Sequence, residues 1–177
     1  MSASAPVHSV HVYDDDSALI MRLCGIVSAS LRVGEAVLIV ATPEHRTSLV
    51  EELKSGGVDI RTHAREGRFT MVDANDLLAS FLVNAHPDPT RFEAEVGRLL
   101  TEVRAKSKSL DHRVTVFGEI VNLLWQQGNK QGAIELEALW NDALMKNAFH
   151  LHCGYDRSYL RGDDESSVCN VHTHTLQ

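Results

Sequence analysis

A run of six apolar residues, Ala36–Ala41 (AVLIVA), constrains the fold of this chain more than any other segment. A strand with one face in water alternates apolar and polar side chains, whereas a strand covered on both faces is apolar throughout. The run therefore predicts a central strand with helices on both faces of its sheet. Gly34 before the run and Thr42-Pro43 after it are typical of a helix end and a helix start.

The rest of the chain alternates short strand-like runs with helical patterns. Strands are predicted at residues 7–13, 36–41, 69–72, 113–117 and 149–154. Between them, apolar residues three or four apart predict amphipathic helices. The polar stretch 161–167 is predicted to be a surface loop. This alternation predicts a three-layer α/β fold with a mainly parallel sheet, formed by one domain over residues 7–177. Residues 1–6 are predicted to be disordered.

Charge and composition exclude several classes of function. The formal net charge of −7 disfavours direct binding of nucleic acid, which needs clustered cations. The chain has no apolar run long enough to span a bilayer and no signal peptide, so a soluble, cytoplasmic protein is expected. The three cysteines lack paired C-x-x-C spacing, so neither a disulfide framework nor a zinc knuckle is indicated.

Several polar residues follow the predicted strands or lie near their carboxyl ends. Ligands of open parallel sheets bind at that edge, so these residues are predicted to line one shared pocket. They are His11, Tyr13, Asp14, Asp15, Thr42, Glu44, His45, Arg46, Asp73 and Glu119. In this interpretation His45 and Arg46 hold an anionic or hydrogen-bonding ligand, and Asp73 and Glu119 pair with them.

Several of these residues also have a structural interpretation. The aspartates after the first strand favour the positive end of the following helix, although such a cluster also suits Mg²⁺ or Ca²⁺. Glu44 and Asp73 would likewise cap helices, and Arg46 would be solvated. Glu119 lies in the apolar context VFGEIV, where a carboxylate is costly unless it is paired.

A transition-metal site is a weaker hypothesis, carried by histidines and cysteines in the second half of the chain. The candidates are His150, His152, Cys153, Cys169, His172 and His174. His150 and His152 would point away from Cys153 on a regular strand, and ten histidines make coincidental pairs common. The alternative is that the histidines are ordinary polar residues at the edge of the sheet and that the cysteines are buried, unreactive thiols. Trp125 and Trp140 lie on apolar helical faces and are predicted to be core.

Short segments in a fixed order resemble the MEDS domain, a sensory domain named after methanogens, methylotrophs and the dichloromethane-dehalogenase regulator. The resemblance runs from about residue 7 to residue 176. It is carried by HVYDDDSAL (11–19), IVATPEHRTSL (39–49), VDA (72–74), VFGEIVNLLW (116–125), LEALWN (136–141), HLHCGYD (150–156) and CNVHTHTL (169–176). It implies a sensor of small organic compounds, in a family whose members are often joined to kinase or DNA-binding segments that regulate transcription.

The MEDS domain is in turn similar to RecA and KaiC ATPases, which implies a RecA/KaiC-like fold. Those enzymes follow the first strand with a glycine-rich loop that ends in lysine and cradles phosphates. Here that place holds Asp14, Asp15, Asp16 and Ser17, without glycine or lysine. Like charges about 4 Å apart repel by roughly 1 to 4 kcal/mol, so ATP is not expected to bind there and the Walker A loop is lacking.

Three functions remain open at this point. The first is a non-catalytic sensory module that binds a small molecule and signals through a kinase, a regulator or a second copy of the chain. The second is a residual ATPase or phosphotransferase with Glu119 as the base that activates water. The third is a protein-interaction scaffold without a ligand.

Overall fold

The computed structural model describes residues 7–172 and, for the backbone alone, residues 174–176. In this part of the chain a six-stranded parallel sheet has the order β3-β2-β6-β7-β1-β8. Its strands are β1 (His8–Tyr13), β2 (Ala36–Ala41), β3 (Phe69–Asp73), β6 (Val114–Gly118), β7 (His150–Asp156) and β8 (His174–Leu176). A short antiparallel hairpin consists of β4 (Leu82–Val83) and β5 (His86–Pro87).

Helices cover both faces of the sheet. They are α1 (Asp16–Arg32), α2 (Pro43–Ser55), α3 (Ile60–Arg65), α4 (Ala74–Phe81), α5 (Pro89–Arg104), α6 (Ile120–Gln126), α7 (Lys130–Lys146) and α8 (Asp164–Asn170). The first three pack against one face in one apolar cluster, and the other five contribute to a second cluster on the opposite face. Every residue of β2 is buried. The predicted three-layer α/β fold with a central Ala36–Ala41 strand is therefore confirmed.

The helix starts follow the local signals in the sequence. Asp15, Thr42 and Asp73 each accept hydrogen bonds from backbone N–H groups in the first turn of the helix that follows. The capping interpretation of Asp15 and Asp73 is thus confirmed. Trp125 and Trp140 are buried, as predicted for core residues.

One local prediction was wrong. The predicted surface loop 161–167 contains the start of α8, which begins at Asp164 and buries Val168. The first turn of α8 is acidic and partly buried, and the helix has only seven residues. A helix this short gives no apolar periodicity in the sequence, which is why its polar first half was predicted as a loop. Helix α3 and the β4–β5 hairpin were not predicted either.

The parallel pairing brings the carboxyl ends of the strands to one edge. Tyr13 of β1 lies opposite Asp156 of β7, and Ala41 of β2 lies opposite Asp73 of β3. The turns that follow these strands are therefore neighbours in space, although they are far apart in sequence. Among the described residues, no helix is long and apolar enough to cross a membrane.

Candidate functional site

A cavity of about 590 Å³ lies at the carboxyl end of β1, between α1 and the segment that follows β7. We call it the His11 pocket. This volume is in the range of sites that hold small organic molecules. Its lining residues are His11, Val12, Tyr13, Asp14, Asp15, Ala18, Leu19, Arg22, Arg157 and Glu165.

His11 is the most unusual of the residues that line the pocket. Its side chain is almost fully buried, and its Nε2 atom has no hydrogen-bond partner among the described residues. Burial, together with the nearby His152 and Arg22, lowers the pKa of His11 to about 3. The imidazole is therefore neutral at physiological pH, and this pocket-lining residue has a buried ring nitrogen without a hydrogen bond among the described residues.

Arg157 connects the chain segments around the pocket. Its Nε donates to Asp14 Oδ1 at 2.7 Å, and its Nη1 donates to Glu165 Oε1 at 2.6 Å. The turn after β1, the turn after β7 and the first turn of α8 are joined in this way. One guanidinium is thus shared by two carboxylates, and the formal charges of the three groups sum to −1.

A buried ion pair lies next to the pocket. His45 Nδ1 is 2.6 Å from Glu119 Oε2, and the other oxygen of Glu119 accepts the backbone N–H of Thr42. The hydrogen bond to Glu119 outweighs burial and raises the pKa of His45 to about 9, with a further contribution from Asp16 at 3.2 Å. Glu119 is only 1% exposed. A carboxylate in such apolar surroundings needs a paired cation, and protonated His45 is that partner.

Tyr13 lies between this ion pair and the pocket. Its ring packs edge-on against His45, with 6.3 Å between ring centroids, and it also lines the pocket. Burial and the neighbouring Glu119 raise the pKa of Tyr13, so its hydroxyl stays protonated. Asn122 Nδ2 donates to that hydroxyl oxygen at 3.5 Å.

The structure separates the ten predicted site residues into groups. His11, Tyr13, Asp14 and Asp15 line the pocket, and Thr42, His45 and Glu119 form the buried pair beside it. Arg46 donates to Asp73 at 2.7 Å farther along the edge, and Glu44 is exposed in the first turn of α2. His45 and Arg46 are thus each paired with a carboxylate within the chain, so the expected anion would have to compete with those carboxylates. Ligand binding by these residues stays a prediction.

Six lining residues were not predicted as site residues, and three of them are charged: Arg22, Arg157 and Glu165. Arg22 lies one helical turn after Ala18 on the same face of α1, so the helical spacing could have indicated it. Arg157 directly follows β7, and the rule for strand carboxyl ends applies to it as well. Glu165 gave no signal, because its helix was predicted to be a loop.

A second cluster of polar side chains lies on the opposite face of the sheet. It contains His8, Glu137, Cys153 and His172, with donor atoms that all lie within 4.8 Å of one another. Burial opposes the ionisation of Glu137, but the neighbouring His172 and His8 rings lower its pKa to about 2. This cluster is called the Glu137 cluster below.

The Glu137 cluster contains only some of the predicted metal candidates. Cys153 and His172 belong to it, whereas Cys169 does not. His152 lies on the other face of β7 and meets Ser9 Oγ at 2.6 Å, and His150 shares that face. The side chain of His174 lies outside the described residues.

Sequence reasoning missed His8 and Glu137 as members of this cluster. The signal for Glu137 was its place on the apolar face of α7, next to Leu136 and one turn before Trp140.

Comparison with protein families identifies the family of this chain. The family model described as MEDS, the MEthanogen/methylotroph, DcmR Sensory domain, matches residues 7–173. No curated protein matches the chain. The matched region contains all residues of the His11 pocket and of the Glu137 cluster.

Proposed function

Since this chain belongs to the MEDS family of sensory domains, we propose that it detects a small, uncharged polar molecule in the His11 pocket. Binding would be passed to a protein partner, such as a kinase or a DNA-binding regulator, or to a second copy of the chain. The proposal places the domain in the cytoplasm, where such partners act.

The observation that carries the proposal is the unsatisfied Nε2 of His11. A buried polar atom without a partner costs about 1 to 3 kcal/mol, which a ligand hydroxyl or amide recovers when it forms the missing hydrogen bond. Tyr13 supplies a protonated hydroxyl on the same wall. Two such groups fix the orientation of a ligand in a pocket of this size.

The charges around the pocket favour an uncharged ligand. Asp14 and Glu165 share Arg157, and His11 is neutral, so the three lining carboxylates of Asp14, Asp15 and Glu165 outnumber the two lining guanidinium groups of Arg22 and Arg157. A ligand charge taken out of water without a partner costs more than a hydrogen bond returns. A hydroxyl, ether or amide compound fits these constraints, whereas a carboxylate would face the carboxylates of Asp14, Asp15 and Glu165.

The Arg157 bridge offers a route for the signal. A ligand that competes with Asp14 or Glu165 for the guanidinium would loosen the contact of α8 with the turn after β1. The partner would then recognise the altered position of α8. Each of these ion pairs is partly exposed and individually weak, so a ligand of modest affinity is sufficient to shift them.

Replacing His11 by phenylalanine tests the binding site. The ring is retained and the unsatisfied nitrogen is removed, so we expect unchanged or slightly greater stability of the free protein. For any uncharged compound that raises the melting temperature of the wild type, we expect roughly tenfold weaker binding, or about 1.4 kcal/mol. Melting temperatures measured with a panel of alcohols, amides and sugars give both values.

His152→Phe is the matched control for that experiment. It removes the hydrogen bond to Ser9, so it should lower stability by about 1 kcal/mol, yet it does not change a residue that lines the pocket. The reverse pattern, in which His152→Phe abolishes the ligand response and His11→Phe leaves it intact, would show that the pocket is misassigned.

We also propose that the domain does not hydrolyse nucleotide. The two oxygens of Glu119 contact the backbone N–H of Thr42 and the ring of His45, and Asp15 caps α1 where a phosphate loop would need open backbone N–H groups. With millimolar ATP and Mg²⁺ we expect no change in melting temperature and no release of phosphate. A rise of several degrees together with phosphate release would instead support the residual ATPase.

A further inference from the structure

The Glu137 cluster has the spacing of a tetrahedral metal site. Ligands about 2.0 to 2.3 Å from a tetrahedral Zn²⁺ lie roughly 3.3 to 3.7 Å from one another. His8 Nε2 is 3.3 Å from Glu137 Oε2 and 3.4 Å from Cys153 Sγ. His172 Nε2 is 3.4 Å from Glu137 Oε1. Three contacts among the two imidazoles, the thiol and the carboxylate thus have the separation of zinc ligands, and the four ligand atoms all lie within 4.8 Å of one another.

Hydrogen bonds outside the cluster orient both histidines toward its centre. His172 Nδ1 donates to the carbonyl oxygen of Val168 at 2.7 Å. His8 Nδ1 meets Asn141 Oδ1 at 2.8 Å, and Asn141 Nδ2 donates to Val171 O at 3.4 Å, which fixes the orientation of the amide. Each histidine therefore carries a proton on Nδ1 and presents Nε2 to the interior of the cluster, so that Nε2 is the atom available to a metal.

Further observations point to a group held at this place. His172 Nε2 and Glu137 Oε2 are buried without a hydrogen bond among the described residues. A cavity of about 20 Å³ is lined by Tyr155 and Val168 among others, and Glu137 is the one cluster residue that lines it. Tyr155 donates its hydroxyl to Glu137 Oε1 and holds that carboxylate in place.

From this geometry we propose that His8, Glu137, Cys153 and His172 bind one Zn²⁺ ion. The cysteine sulfur binds as thiolate and releases its proton to solvent on metal binding. With four protein ligands the site is closed, which is typical of structural rather than catalytic zinc. The ion would link the segment after α8, which contains His172, to the elements β1, β7 and α7 that carry the other three ligands. The site lies on the opposite face of the sheet from the His11 pocket, so it does not depend on the proposed ligand.

The wild-type protein tests the site directly. After expression with zinc and extensive gel filtration, elemental analysis should find about one Zn²⁺ per chain. Protein stripped with a chelator and loaded with Co²⁺ should show the strong visible bands of tetrahedral cobalt and a thiolate-to-cobalt charge-transfer band. Removal of the metal should lower the melting temperature, and Zn²⁺ should restore it.

Two cysteine variants identify the sulfur ligand. Cys153→Ser should lose the charge-transfer band and bind Zn²⁺ at least about tenfold more weakly. Cys169→Ser is the matched control, because that thiol lies in α8 outside the cluster, and it should keep both properties. Background zinc in the wild type and a cobalt complex without a thiolate band would overturn the proposal. Equal losses in both variants would overturn the ligand assignment, and the wild-type spectrum decides the matter even if Cys153→Ser does not fold.

Discussion

Replacing Trp140 by alanine is expected to lower the free energy of unfolding by about 3 to 5 kcal/mol, the largest effect of any substitution considered for this chain. Trp140 is 2% exposed and is among the largest fully buried side chains. Its ring packs edge-on against Phe92, with centroids 5.0 Å apart, and against Phe149 at 6.5 Å. Its removal leaves a cavity between α7, α5 and the start of β7, which the aromatic neighbours fill only in part.

Urea unfolding followed by circular dichroism measures this loss. Met145→Ala on the same helix is the matched control, because Met145 is 89% exposed and its truncation should change stability by less than about 0.5 kcal/mol. A loss of under about 1 kcal/mol in Trp140→Ala would mean that this tryptophan is not a core residue.

Glu119→Gln is expected to lower the free energy of unfolding by about 2 kcal/mol at pH 6. The glutamine retains the size of the side chain and can still accept the N–H of Thr42, but it no longer carries the charge that stabilises protonated His45. A rise of the pKa of His45 from 6.5 to about 9 corresponds to about 3 kcal/mol. We reduce this figure to about 2 because solvent screens part of the interaction.

The effect of Glu119→Gln should depend on pH in a defined direction. Because folding raises the pKa of His45, the stabilisation is complete below about pH 6.5 and is lost as pH rises through about 9. Urea unfolding of the wild type and the variant should therefore differ at pH 6 and converge near pH 10. Glu44→Gln, an exposed neighbour on α2, should follow the wild type at both values. An equal difference at pH 6 and pH 10 would show that His45 is not the titrating group.

The layers of the fold could be predicted from local patterns of apolar and polar residues, because each pattern depends on the burial of its own segment. The AVLIVA run of β2 and the cap residues Thr42 and Asp73 indicate elements that the structure contains. Helix α8 was not predicted, because only Val168 within it is buried and a single buried residue gives no apolar pattern. The edge rule for parallel strands also placed His11 and Tyr13 near one another and near a pocket.

The pairing of side chains was harder to predict, because it depends on the order of the strands in the sheet. The sequence indicated that Glu119 needs a partner, and His45 was one of several cations at that edge. The Glu137 cluster required more: β1 and β7 had to be neighbours, and α7 and α8 had to share one face. His8 and His172 lie near opposite ends of the chain, so no local spacing could reveal that they meet.

The measurement that tests the sensing proposal most directly is nuclear magnetic resonance of the His11 imidazole nitrogens during titration with uncharged and carboxylate compounds of similar size. We predict that at least one hydroxyl- or amide-bearing compound shifts the Nε2 signal of His11 in a saturable manner, while the matched carboxylates do not. An Nε2 signal that stays unchanged with every compound, or that responds equally to carboxylates, would contradict the account.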